Sequence, residues 1–282
     1  MDKKTPPAEQ PPASDPFAPF TAALRERVPS REALLAEGKA LTRQRRKARN
    51  ALGGGLLSVA LLAGLWALDP AWRSEDIQVA YGQRERLVLA DGSVVQANSG
   101  SHLRIEHRLR SRQLELLHGE AMFTVVHRQQ AFIVRSQGVR VRDIGTVFDV
   151  RSDTRGVQVA VIQGEVEVRN LHDQPRRLVA GEQVNASARA ISPVRPAKVD
   201  ALMAWQHGKL RFDGTPLSEV VADLQHYRQA PIRVADAATG ALRLSGEFDS
   251  ARVETLIQLL PTILPVRAAQ QADGAVTLYK VR

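Results

Sequence analysis

The chain has 282 residues, 44% of them apolar and 5% aromatic, with no cysteine. That length is enough for two ordinary domains with extensions, and the missing cysteine excludes disulfides, zinc–thiolate sites and thiol nucleophiles. A formal charge of +9 points to nucleic acid only when it is spread over a folded face, and here much of it is gathered at one end.

Residues 1–50 hold eleven Lys or Arg against six Asp or Glu. Five of those cations, Arg43, Arg45, Arg46, Lys47 and Arg49, fall within "RQRRKAR". The start, "KKTPPAEQPPASDPFAPF", is proline-rich and polar, the composition of an extended or disordered tail. Two short amphipathic stretches follow, 17–28 and 31–42, with Leu24, Leu34, Leu35 and Leu41 among their apolar positions. They are too short to fold alone, so they either order against a partner or the membrane surface, or remain an unstructured tail.

Residues 51–68, "ALGGGLLSVALLAGLWAL", are eighteen residues without a charge. At ~1.5 Å per residue they extend roughly 27 Å, close to the hydrocarbon thickness of a bilayer. Trp66 and Trp72 lie near the far end, where indole rings favour the headgroup layer. A cleaved signal peptide does not tolerate so long a leading region; a buried core helix is the remaining alternative. Cations crowd one flank, while Asp69, Glu75 and Asp76 follow on the other. The positive-inside bias therefore puts the N-terminus in the cytoplasm and residues 69–282 outside, which in a bacterium is the periplasm. The basic run is then a topological anchor beside anionic lipid rather than a nucleic-acid patch.

Residues 69–78 are expected to be a juxtamembrane linker, and 79–190 an all-β domain. Turn signals recur every eight to twelve residues or so, at Asp91-Gly92, Gln137-Gly138 and Gly145 among others, as in a sandwich, barrel or short solenoid. Three times a β run meets a Gly-Glu step: Gly119-Glu120 in "ELLHGEAMFTVVH", Gly164-Glu165 in "VAVIQGEVEVRN" and Gly181-Glu182 in "RRLVAGEQVNAS". Repetition favours a recurring corner over a recurring active site. Gly119, Gly145, Gly164 and Gly181 are structural turn positions on this reading, and each neighbouring Glu is a solvated or turn-bonding carboxylate.

"LADGSVVQANSGSHLRIE", "RQLELLHGEAMFTVVHRQQAFIVRSQGVRVRDIGTVFDVRS" and "VAVIQGEVEVRN…LVAGEQV" resemble the periplasmic domain of FecR-type transmembrane sensors. The GEAMF, FIV, GTVFDV and LVAGEQV blocks appear in that family's order.

Residues 191–203, with two prolines and no clear period, are expected to be a linker. Residues 204–282 then give strand–helix–strand twice. Pro216 suits a first helical turn. Leu217, Val220, Val221, Leu224 and Tyr227 form a helical stripe, and a second helix, "ARVETLIQLL", is expected to stop at Pro261. Trp205, Gly208, Leu210, Phe212, Pro216, Leu217, Tyr227 and Arg228 resemble the STN module shared by secretins and TonB-dependent receptors, which also closes FecR-type sensors. The expected fold is thus a multi-domain membrane protein: one N-in transmembrane helix, a wound all-β domain, and a small α+β domain of two β-α-β units.

No catalytic, cofactor or metal site is expected. His102, His107, His118 and His127 lack metal-ligand spacing on a helix, no phosphate loop precedes a helix, and Ser93 and Ser99 have no nucleophile context.

The resemblance implies an inner-membrane regulator of cell-surface signalling. Its periplasmic part would receive a signal from the N-terminal domain of a TonB-dependent outer-membrane transducer carrying an iron chelate or haem. Its cytoplasmic part would hold or assist an extracytoplasmic-function sigma factor, through Leu24, Leu34, Leu35 and Leu41, with release by periplasmic and intramembrane proteases. Gly53, Gly54, Gly55 and Gly64 lower helix propensity in the span, which eases cleavage, although small residues also pack helices. Residues 1–50 lack the longer tryptophan-containing helical unit usual in that family. This leaves open a second reading, a periplasmic scaffold anchored in the inner membrane without sigma-factor control.

Overall fold

The computed structural model describes residues 58–281 except 109 and 144, together with residues 31, 32, 35, 36, 39 and 43. Leu24, Leu34, Leu41, Arg45, Arg46, Lys47, Arg49 and Gly53–Gly55 lie outside the described residues; Leu35 and Arg43 are helical and exposed. Residues 58–68 form a helix on which Val59, Leu61, Leu62 and Trp66 are largely exposed. Among the described residues no helix is long and apolar enough to cross a membrane, and the first seven residues of the expected span fall outside them.

The β-domain starts earlier than its expected boundary. Residues 73–78, anticipated as linker, are strand β1 (Arg73–Gln78), paired over its whole length with β4 (His102–His107). Asp69 ties the segment before β1 to the same sheet: its carboxylate accepts from Arg110 N at 2.9 Å and Ser111 Oγ at 2.5 Å. Arg108 also donates to the Asp69 carbonyl. These bonds hold Asp69 against that sheet.

Two sheets enclose one apolar core. The first runs β1, β4, the N-terminal half of β5 (Arg112–Thr124), β6 (Phe132–Ser136), β7 (Val139–Asp143), β10 (Glu165–Arg169) and β11 (Arg176–Val179). The second runs β2 (Glu85–Val88), β3 (Val94–Ala97), the C-terminal half of β5, β8 (Val147–Asp153), β9 (Gly156–Gln163), β12 (Glu182–Ala186) and β13 (Arg195–Pro196). All pairs are antiparallel except β5–β6. Inward residues of both sheets, such as Leu103, Leu116, Phe132, Val150, Val159 and Val168, are almost wholly buried in a single cluster. Phe123 stacks on Phe148 with centroids 5.1 Å apart and meets Phe132 edge-on at 6.0 Å, so one aromatic group bridges the two sheets.

The repeated glycines have a common place. Gly119 sits inside β5 where that strand leaves the first sheet for the second, so the two strands expected around it are one strand of thirteen residues. Gly145 lies between β7 and β8, Gly164 between β9 and β10, and Gly181 between β11 and β12; each connection passes from one sheet to the other. Sheet-switching strands turn through bends and bulges, and the β4–β5 register does shift between His102 and Leu103, leaving Leu117 as the extra residue two positions before Gly119. At Gly119 the requirement is double. Its φ is +96°, and a Cβ there would lie 2.5 Å from Ser101 Cα.

The stretch 191–203 is likewise structured. It contains β13, paired with β12, and most of helix α1 (Val199–Ala204). The C-terminal domain follows as β14 (Lys209–Pro216), α2 (Leu217–Gln225), β15 (Ile232–Val234), α3 (Ala237–Gly240), β16 (Arg243–Asp249), α4 (Val253–Ile263), β17 (Val266–Gln270) and β18 (Val276–Lys280). β14 pairs with β16, and β15–β18–β17 form a second small sheet. Leu217, Val220, Val221 and Leu224 of α2 meet Leu256, Ile257 and Leu260 of α4 in a separate core. Pro216 caps α2 from the strand side with ψ 140°, and α4 runs two residues past Pro261 to Ile263. A proline in the last turn forfeits one backbone bond without ending the helix there.

Candidate functional site

Alternation puts Asp149, Arg151 and Asp153 of β8, and Glu120 and Met122 of β5, on the outer face of the second sheet, because Phe148, Val150, Ala121 and Phe123 point inward. Glu120 is directly opposite Arg151 across the β5–β8 ladder. That face is covered by α2 and the residues after it, which carry Asp223, His226 and Tyr227.

The two domains are joined there by polar contacts. Arg151 Nη1 donates to Asp223, and its Nε lies 3.6 Å from Asp153. Asn98 Nδ2 donates to Glu120 Oε2 at 2.6 Å and to Tyr227 Oη at 2.9 Å, so one amide spans both domains. His118 and His226 stack with centroids 6.1 Å apart. Arg84, before β2, donates to the carbonyls of Trp205 and Gln206 at 2.7 and 2.9 Å, and Gln206 reaches the Met122 sulfur. Beside the junction a cleft of about 540 Å³ separates the outer faces of β9 and β12 from β14, with Arg151, Gln158, Trp205, Arg211 and Asp223 among its walls.

Burial governs the electrostatics. It pushes the Glu120 carboxyl up, with the Arg151 charge and the Asn98 bond opposing. Asp149 is driven well above the usual carboxylate range by burial and by Glu120, again opposed by Arg151. His226 is held well below the ordinary imidazole value by burial and by the Arg151 charge. Nε and Nη2 of Arg151 are buried without a hydrogen-bond acceptor among the described residues. An arginine enclosed by carboxylates fixes geometry between domains; nothing in the group resembles a nucleophile and its base.

Glu120 corrects the expectation of a solvated carboxylate beside each corner glycine. It is 7% exposed, whereas Glu165 is exposed and bonds Arg177 at 2.7 Å, and Glu182 accepts from Val179 N at 2.9 Å. One local pattern thus serves three environments. The junction residues Asn98, Asp149, Arg151 and Asp223 carried no sequence signal beyond two apolar-flanked charges in "FDVRS". Of the four histidines weighed as metal ligands, His102 lies 3.5 Å from Asp76 and His107 lies 3.4 Å from Glu75. Among the described residues no group of three or more ligating side chains is placed to hold a metal ion.

The family model described as FecR protein matches residues 75–167, which take in the GEAMF, FIV and GTVFDV blocks and end before LVAGEQV. Two crystal structures of a "putative anti-sigma factor" from Parabacteroides distasonis are similar to this chain, each with 27% identity and a TM-score of 0.63. Each alignment covers 74% of this chain and 100% of the other. No curated protein matches the chain.

Proposed function

We propose that this chain is a single-pass inner-membrane regulator of anti-sigma type, with residues 1–50 in the cytoplasm and 69–282 in the periplasm. The observation that carries the anti-sigma half is the FecR match over 75–167, together with 27% identity to a crystallised protein described in those words. The membrane half rests on the uncharged stretch 51–68 behind the basic run. On this reading the C-terminal domain is an STN-like module that meets the signalling domain of a TonB-dependent receptor. The junction passes that event to the β-domain, and the pinned Asp69 passes it on toward the span.

The partners follow from the same reading: an extracytoplasmic-function sigma factor inside, and iron- or haem-uptake genes as its regulon. The test is co-purification of the full chain with a co-expressed extracytoplasmic-function sigma factor from the same genome, using Leu34→Asp and Leu35→Asp as comparisons. Capture by the wild-type chain and loss with the variants is expected; no capture by the wild type removes the anti-sigma role. A reporter fused after residue 80 is expected in the periplasm, and a cytosolic reporter removes the topology.

A further inference from the structure

The outer face of the second sheet is covered by the C-terminal domain, but that of the first sheet carries an exposed charge pattern. Register aligns one residue from each of six strands: Asp76, Arg104, Glu115, Arg135, Arg140 and Arg169. Along the first part of this row, signs alternate and pair. Arg104 lies 3.0 Å from Asp76 and 3.7 Å from Glu115. Along β6, β7 and β10 they do not: Arg135, Arg140 and Arg169 stand directly opposite one another, and all three are exposed. Arg142, two residues along β7, extends the cluster; Glu167, 3.6 Å from Arg169, is the carboxylate beside it.

Like charges directly opposite on a ladder destabilise it. The effect registers at Arg140, whose pKa is lowered by burial and by the charges of Arg135, Arg142 and Arg169. A cluster of this kind attracts an anion, and guanidinium forks match phosphate oxygens.

The position of the row favours one anion source. β1 belongs to this same sheet, and Asp69, one residue past the apolar stretch, is bonded to the β4–β5 connection. Four strand spacings of ~4.8 Å separate β1 from β7, and three residues of ~3.3 Å separate the Arg73 row from the arginine row. The cluster therefore lies roughly 22 Å along the sheet from the Arg73 end of β1, the end joined directly to the apolar stretch. A bilayer holding residues 51–68 would be tethered to this sheet through the few residues before β1, whereas a soluble acidic protein would have no such covalent tether.

We propose that the outer face of the first sheet docks on anionic phospholipid headgroups beside the anchor, with Arg135, Arg140 and Arg169 as the contacts. This rests on the membrane-anchored reading above. Docking would lay the β-domain against the bilayer and so set the orientation from which the C-terminal domain is presented.

The chain has no cysteine, so a single Val179→Cys on the exposed edge strand β11 takes one fluorophore. The full chain is placed in nanodiscs of phosphatidylcholine, or of equal parts phosphatidylcholine and phosphatidylglycerol, each with an acceptor-labelled lipid. Energy transfer is expected to be higher in the anionic discs and to fall at high salt. Arg140→Glu exchanges a repelled cation for an anion between two arginines. It is expected to raise the melting temperature while lowering the docked-to-free ratio by roughly tenfold or more. A variant that merely damaged the fold would lower both. Equal transfer in the two disc types, or transfer unaffected by Arg140→Glu, overturns the docking while leaving the anchor intact. Failure of the chain to enter discs at all overturns the anchored reading and the docking with it. Retention of an acidic soluble protein by the cluster, with no lipid dependence, overturns the choice of lipid.

Discussion

Gly119→Ala separates the two demands made at a sheet-switching corner. The backbone at Gly119 has φ +96°, where an L side chain costs about 1–2 kcal/mol. The added Cβ would also lie 2.5 Å from Ser101 Cα and 2.4 Å from Ser101 Oγ. Ser101 cannot retreat freely, because its Oγ donates to Glu120 O at 2.8 Å and accepts from Glu120 N at 3.0 Å. Overpacking of this kind adds about 1–3 kcal/mol. The sum, about 2–5 kcal/mol, corresponds to a melting-temperature drop of roughly 5–15 °C for a unit of this size. Gly181→Ala is the matched control: φ is +83°, yet nothing lies within 4 Å of its Cβ position. Only the backbone term remains there, about 1–2 kcal/mol. Scanning calorimetry of the two variants is expected to show the larger drop for Gly119→Ala. Equal drops would mean that packing against Ser101 is irrelevant and that the corner is purely a matter of φ.

Three further outcomes follow from the junction. Arg151→Ala leaves Asp223, Glu120 and Asp149 without their cation and is expected to destabilise the chain by about 3 kcal/mol in urea titrations; a change under about 1 kcal/mol would show that the carboxylates find other partners. Because Glu120 sits above its ordinary value of 4.5, the folded chain holds more protons than the unfolded one between that value and the raised one, so its contribution to stability declines as pH rises through this window. Glu120→Gln removes the decline and is expected to match the wild type near the acid end and gain on it toward neutrality; a pH-independent difference would contradict the assignment. Tyr227→Phe deletes the hydroxyl that meets Asn98, and a loss of about 1 kcal/mol with faster proteolysis between the domains is expected.

Much of this protein is local and therefore visible in its residues. The alternating runs, the Asp91-Gly92 and Gln137-Gly138 turns and the α2 stripe from Leu217 to Leu224 all depend on neighbours within a few positions. So does the charge step across the uncharged stretch 51–68. What local pattern cannot carry is pairing. Glu120, Glu165 and Glu182 follow glycine alike, but only Glu120 faces another domain, because β5 crosses between sheets beneath α2. Arg135, Arg140 and Arg169 are unexceptional one at a time and become a single cluster through the β6–β7–β10 register. Residues 69–78 have the composition of a linker and are held as structure by residues from 24 to 41 positions later. Periodicity is written along the chain, whereas which faces meet is settled by contacts that close only when the whole chain has packed.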